Sequence, residues 1–98
     1  MTNIAENDLN IRIVFELDNS RSIALIDNTI IGECEFTESD SKWVITHTGV
    51  RENYNGRGIA RMLVECIVDE ARKNNIKILP VCSYAKKLLS KEEYQDIL

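Results

Sequence analysis

Ninety-eight residues leave no room for a second core, so residues 1–98 are read as a single domain. With 44% hydrophobic and 29% charged residues, the chain lies away from the polar, highly charged compositions that stay unfolded. A net charge of -4 argues against duplex nucleic acid and anionic membrane as partners.

Residues 1–10 are polar and acidic, without the cationic and apolar regions of a signal peptide. No apolar run approaches the roughly 20 residues that span a bilayer, so the expected location is cytoplasmic. Residues 11–17, IRIVFEL, place Ile11, Ile13, Phe15 and Leu17 on one face of a first strand, and Asp18-Asn19-Ser20 is turn material. Residues 22–26 and 29–36 read as strands two and three, joined by a tight turn at Asp27-Asn28 with the positive φ at Asn28. Residues 38–42 form a polar loop. Residues 43–50 are apolar or small on both faces, which predicts a fourth strand at the centre of the sheet, covered on each side.

From Gly58 the period changes. Ile59, Met62, Leu63, Cys66, Ile67 and Ala71 recur at three- and four-residue intervals, with Arg61, Glu65, Asp69 and Lys73 opposite, which predicts an amphipathic helix ended by Asn74-Asn75. Arg61 with Glu65 and Asp69 with Lys73 are opposite charges four apart, each contributing a few tenths of a kcal/mol. Residues 76–81 read as a buried fifth strand, making strand four, helix and strand five a right-handed βαβ unit. Ser83 is placed to cap a short helix through Leu89, and Ser90-Lys91-Glu92-Glu93 matches a capping box before Tyr94, Ile97 and Leu98. The expected fold class is α+β, with a mixed, mostly antiparallel sheet of about five strands and short C-terminal helices. Cys34, Cys66 and Cys82 are odd in number and not arranged as CxxC, against a disulfide framework and a metal site.

The segment Arg51-Glu52-Asn53-Tyr54-Asn55-Gly56-Arg57-Gly58-Ile59-Ala60 joins strand four to the helix. Glycines two apart leave backbone amides bare at a helix N-terminus, where unpaired N–H groups and the helix dipole suit a diphosphate, and Arg57 and Arg61 add positive charge. A turn that only reverses the chain is the other reading. The segment is neither a P-loop, which needs Gly-Lys-Ser/Thr, nor the GxGxxG fingerprint, because Arg61 stands three after Gly58. Cys82 sits just before the predicted helix, where the dipole and the following Lys86 and Lys87 favour a thiolate; the alternative is a small residue lining a pocket. His47 is either a general base or a core histidine satisfied by a backbone group.

Gly56-Arg57-Gly58-Ile59-Ala60, preceded by His47-Thr48-Gly49-Val50 and followed by residues 76–82 and Ser83-Tyr84-Ala85, resembles the GCN5-related N-acetyltransferase superfamily over nearly the whole chain. It is most similar to the small single-domain, YjdJ-like branch. The resemblance implies a GNAT-like fold without the acceptor-site helices that larger members carry between strands one and two, since only residues 18–21 separate those strands here. It implies an acetyl-CoA-dependent N-acetyltransferase acting on an unidentified amine or protein acceptor, or alternatively a coenzyme A-binding module with little or no activity; a monomer is expected. The family motif Gln/Arg-x-x-Gly-x-Gly/Ala cradles the coenzyme A diphosphate, which implies that role for Asn55, Gly56, Arg57, Gly58, Ile59, Ala60 and Arg61, with Asn53 standing where the motif has Gln or Arg. The backbone of Thr48, Gly49 and Val50 is implied to hold the pantetheine arm and polarise the thioester carbonyl. Cys82 matches a cysteine suspected of accepting the acyl group, and Tyr84 is a candidate acid for the departing thiolate, its other reading being packing with the hydroxyl at the surface.

Overall fold

The computed structural model describes residues 10–98, so all but Asn10 of the N-terminal segment read above lies outside the described residues. The elements are strands β1 (Ile11–Glu16), β2 (Arg21–Ile26), β3 (Thr29–Ser39) and β4 (Lys42–Val50), helix α1 (Ile59–Lys73), strand β5 (Lys77–Pro80) and helix α2 (Ser83–Leu88). Short 3-10 turns occupy Leu17–Asn19, Glu52–Tyr54 and Glu92–Ile97. The sheet order is β1-β2-β3-β4-β5, antiparallel through β4 and parallel between β4 and β5, which makes the expected mixed sheet with its βαβ unit.

The apolar stripe of α1, from Ile59 through Leu63, Val64, Ile67 and Val68 to Ala71, is buried against one face of this sheet. Phe15, Phe36 and Trp43 stack beneath it, with Phe36 and Trp43 4.5 Å apart between ring centroids. Buried Ser22 donates to the Leu63 carbonyl at 2.8 Å, a satisfied polar contact that ties β2 to the helix. Ala85, Leu88, Leu89, Tyr94 and Ile97 complete the same core.

Several local expectations change in the tertiary context. Leu17 does not join the buried face of β1: the chain turns there, Ser20 N–H donates to Leu17 O at 3.0 Å, and Leu17 is 61% exposed. In the first hairpin the positive φ falls on Asp27 (56°), not Asn28; a short polar side chain tolerates this conformation. Residues 38–42 are no open loop, because β3 and β4 continue to a two-residue turn in which Asp40 (φ 52°) and Ser41 (φ 65°) are both left-handed, the conformation that matches strand twist. The middle strand is β3, and β4 is covered on one face only, with Trp43 and Ile45 buried but Thr46 and His47 exposed. As an edge strand, β5 buries only Ile78 and leaves Leu79 exposed, and Val81 just beyond its end is exposed as well.

At the helix ends, Arg61 meets Glu65 at 3.2 Å as expected, whereas Lys73 reaches Glu70 rather than Asp69. Helix α2 is capped by Cys82, not Ser83: its Sγ accepts from Ala85 N–H at 3.4 Å. The capping box does not form, since Ser90 Oγ donates back to Lys87 O at 2.7 Å. Tyr94 and Ile97 are buried but Leu98 is exposed.

A pH-dependent stability follows from Tyr94, whose buried hydroxyl donates to Glu65 Oε2 at 2.6 Å. Burial first, then this bond, pushes the phenol up to about 12. Because the folded value lies above the unfolded value of about 10, the stabilisation is complete below that pH and disappears as pH rises through the folded value. Urea midpoints of wild type and Tyr94→Phe are therefore expected to differ near neutrality and converge as pH climbs from about 10 towards 12. A constant gap across that range would contradict the assignment.

Candidate functional site

The ladder between β4 and β5 is short. It runs from Lys42 opposite Lys77 to Ile45 opposite Pro80, and Ile45 O then accepts N–H bonds from Val81 (2.9 Å) and Cys82 (3.1 Å). Pro80 has no N–H to extend it. Strand β4 continues against β3 as far as Val50 opposite Gly32, so among the described residues no strand pairs with the other edge of Thr46–Val50. This opened edge leaves the backbone of Thr48, Gly49 and Val50 facing away from β3 without a neighbouring strand among the described residues.

Beyond β4 the chain is pinned by Arg51 N–H to Ile31 O at 2.8 Å, turns through Glu52–Tyr54, and enters α1 across the paired glycines. Gly56 (φ 81°) and Gly58 (φ 77°) are both left-handed, a conformation that glycine adopts without a Cβ penalty. Gly58 is the N-cap and brings no side chain, the first turn carries no acid, and the first helical bond runs from Met62 N–H to Gly58 O. The amides of Ile59, Ala60 and Arg61 precede that bond and have no intrahelical acceptor. A Cβ built at either glycine would meet nothing within 4 Å. The loop and helix start open on a pocket of about 190 Å³ bounded by Val50, Tyr54, Asn55, Gly56, Gly58, Ile59, Ala60, Arg61 and Tyr84. Arg57 lies over the Tyr54 ring, 5.7 Å from its centroid. Arg61 also holds Glu93 at 3.9 Å, so its charge is partly offset by the acids of its own neighbourhood.

A β-bulge decides what β4 presents to this cleft. Glu35 pairs with His47 but Phe36 pairs with Ile45, which makes Thr46 an extra residue and inverts the alternation beyond it. Thr48 therefore shares the core face with Ile45: its Oγ1 donates to Cys34 Sγ at 3.4 Å and lies 3.4 Å from Cys82 Sγ. His47 is turned to the other face and is exposed, which removes the core-histidine reading. Its ring lies along Gly49, where a Cβ would stand 3.0 Å from Nε2. A carboxylate oxygen of Glu33, one of Glu35 and a ring nitrogen of His47 fall within 4.8 Å of one another there, a grouping the sequence reading missed although alternate positions on β3 signal it. Arg21 joins them, donating to Glu33 Oε1 at 3.0 Å.

The three thiols separate clearly. Burial pushes Cys34 up to about 12 and also raises Cys66, so neither is a nucleophile near neutral pH. Half-buried Cys82 stands at the start of α2 with Ala85 N–H and the Thr48 hydroxyl on its sulfur. Lys86 and Lys87 lie in the last turn of α2, not at the thiol. Tyr84, in the first turn, borders the glycine pocket, and burial raises its phenol. The structure thus gathers Val50, Tyr84, Asn55, Gly56 and residues 58–61 around one pocket, places Thr48 against Cys82, and separates His47 onto the opposite face of β4.

A family model described as GCN5-related N-acetyl-transferase matches residues 21–97. A GCN5-like protein of Staphylococcus aureus is 33% identical, with a TM-score of 0.67 over 92% of this chain and 87% of that one. A protein of Clostridium acetobutylicum predicted to be an acetyltransferase, solved with acetyl-CoA, is 26% identical with a TM-score of 0.57, covering 82% of this chain and 61% of that one. At 18% identity, the N-acetylglutamate synthase of Neisseria gonorrhoeae complexed with coenzyme A and N-acetyl-glutamate shares the fold alone, with a TM-score of 0.61 over 80% of this chain and 21% of that one. No curated protein matches the sequence. Among the described residues no helix is long and apolar enough to cross a membrane.

Proposed function

Since the chain belongs to the GCN5-related N-acetyltransferase family, we propose that it binds acetyl-CoA in the cleft between β4 and α1 and transfers the acetyl group to an amine. The observation that carries this reading is the uncapped N-terminus of α1, opening on two left-handed glycines beside the unpaired edge of β4. Backbone amides from Gly56 to Ala60 would hold the diphosphate at the positive end of the helix dipole. Thr48, Gly49 and Val50 would pair with the pantetheine arm as an added strand, and an amide of this edge would polarise the thioester carbonyl.

Cys82 is assigned the nucleophile: its sulfur bonds to the acetyl carbon while the bond from that carbon to the coenzyme sulfur breaks. Tyr84 protonates the departing thiolate. The acceptor amine then attacks acetyl-Cys82 and releases the Cys82 thiolate, with the amine proton passing to water, since His47 stands on the opposite face of β4.

One observation favours a second reading, a coenzyme A-binding module with little turnover: only the turn Leu17–Asn19 and Ser20 lie between β1 and β2, so no helix from that connection shapes an acceptor site. Calorimetric titration with acetyl-CoA tests both readings, and absence of binding would end both. Coenzyme A release across a panel of amines and peptides separates them.

Diphosphate binding is assigned mainly to backbone amides. Arg57→Ala is therefore expected to weaken acetyl-CoA binding by less than about tenfold, with an effect that fades at high salt, as for other exposed charges. A loss of several hundredfold by calorimetry would instead make Arg57 a desolvated clamp.

A further inference from the structure

We propose that Glu33, Glu35 and His47 form a binding site for a divalent transition-metal ion, with donors that suit Zn²⁺, on the face of the sheet turned away from α1. The site is independent of the acetyl transfer proposed above. A carboxylate oxygen of each glutamate and a ring nitrogen of His47 lie within 4.8 Å of one another. Zinc holds nitrogen and oxygen ligands at about 2.0–2.2 Å, so its tetrahedral donors stand about 3.3–3.5 Å apart. Glu35 and His47 are exposed and Glu33 is half-buried, so small side-chain rotations close that difference.

The backbone brings the donors together. Glu35 pairs with His47 and Glu33 with Gly49, so all three project from neighbouring positions of one antiparallel ladder. In a regular register His47 would share the core face with Ile45. The bulge at Thr46 carries it across to the glutamates, and re-aiming a side chain is a known use of bulges beside functional sites. Gly49 adds a second feature. A Cβ there would stand 3.0 Å from His47 Nε2 and 3.4 Å from Cε1, so the ring lies over a position that has no side chain, next to Glu33 across the ladder.

The local charge favours a cation. Arg21 donates to Glu16 Oε1 at 2.7 Å and to Glu33 Oε1 at 3.0 Å, so one guanidinium is shared by two carboxylates. Glu33 keeps its second oxygen. Among the described residues the Glu35 carboxylate and the His47 ring have no hydrogen-bond or ion-pair partner. Beside them an open hollow of about 420 Å³, bordered by Ile30, Gly32, Glu33, Gly49 and Arg51, leaves room for water to complete the coordination. One imidazole with two carboxylates suits Zn²⁺ or its first-row neighbours better than Mg²⁺ or Ca²⁺, which take oxygen ligands. The cysteine pattern that argued against a metal site does not bear on this one, since no thiol takes part. An ion held here would clip β3 to β4 and stabilise the folded chain by mass action.

The test is calorimetric titration of untagged, chelator-treated protein with Zn²⁺, in wild type, His47→Gln and Glu35→Gln. It is joined by NMR of the imidazole, which is unambiguous because the chain has 1 histidine. One Zn²⁺ per chain is expected, with displaced His47 ring resonances. Losing an outer partner of a metal ligand costs about 10- to 100-fold in affinity, so losing a ligand should cost at least that: about a hundredfold for His47→Gln and about tenfold or more for Glu35→Gln. Zn²⁺ should also raise the melting temperature of the wild type and leave that of His47→Gln unchanged. Both replaced side chains are exposed and have little packing to lose, which circular dichroism checks. Absence of Zn²⁺ binding overturns the proposal, as do His47 ring resonances that Zn²⁺ does not move. Unchanged affinity in His47→Gln overturns it too and assigns the ion to the thiols. Should that variant fail to fold, unchanged affinity in Glu35→Gln overturns it.

Discussion

Replacing Gly56 and Gly58 together by alanine is expected to weaken acetyl-CoA binding by about a hundredfold or more while the sheet and helices survive. The two added methyl groups meet nothing in the free protein, so the core has no clash to relieve. Both residues, however, stand in the left-handed region at φ 81° and 77°, where an L side chain costs about 1–2 kcal/mol per residue. The loop relaxes by leaving that conformation, which turns the amides of residues 56–60 away from the diphosphate. If it does not relax, the methyl groups occupy the space the ligand needs. Either route costs the bound state most, and each 1.4 kcal/mol is about tenfold in affinity. Calorimetry with acetyl-CoA reads the loss, and thermal melting of both proteins confirms that the variant is folded. Affinity equal to wild type would place the ligand elsewhere.

Cys82→Ala is expected to lower turnover by about a thousandfold or more without abolishing acetyl-CoA binding, because it removes the atom that accepts the acetyl group. Incubation of the wild type with acetyl-CoA should leave a hydroxylamine-labile acetyl group on Cys82 and none on Cys34, which burial holds protonated, or on Cys66. The same change deletes the cap of α2, since Ala85 N–H loses its acceptor, at about 1 kcal/mol. A modest fall in melting temperature is therefore expected and does not explain a thousandfold loss. Direct transfer from acetyl-CoA to the amine predicts the reverse, with no acetyl-enzyme and substantial activity in Cys82→Ala. Failure of the variant to fold would make the cysteine a packing and capping residue.

The succession of strands along the chain, the amphipathic helix from Ile59 and its stop at Asn74-Asn75, and the glycine turn before it were legible in the sequence because each is written locally. Period two, period three to four, and a demand for positive φ at Gly56 and Gly58 are properties of a few consecutive residues. The family resemblance was carried by the same short segments. What lay beyond local reading was which way side chains face once strands pair. Alternation from Trp43 and Ile45 puts His47 inward and Thr48 outward, but pairing with β3 makes Thr46 a bulge and reverses both, so the histidine leaves the core and the threonine enters it between two cysteines. Nothing in residues 42–50 announces that bulge, because it belongs to the register of two strands rather than to either one. The cap of α2 was misassigned for a related reason: Ser83 has the more usual capping side chain, yet Ile45 O holds the Cys82 amide and sets the residue before the helix, so the sulfur faces Ala85 N–H. Local sequence determined the elements and the diphosphate turn; long-range hydrogen bonding decided which side chains stand together at the thiol.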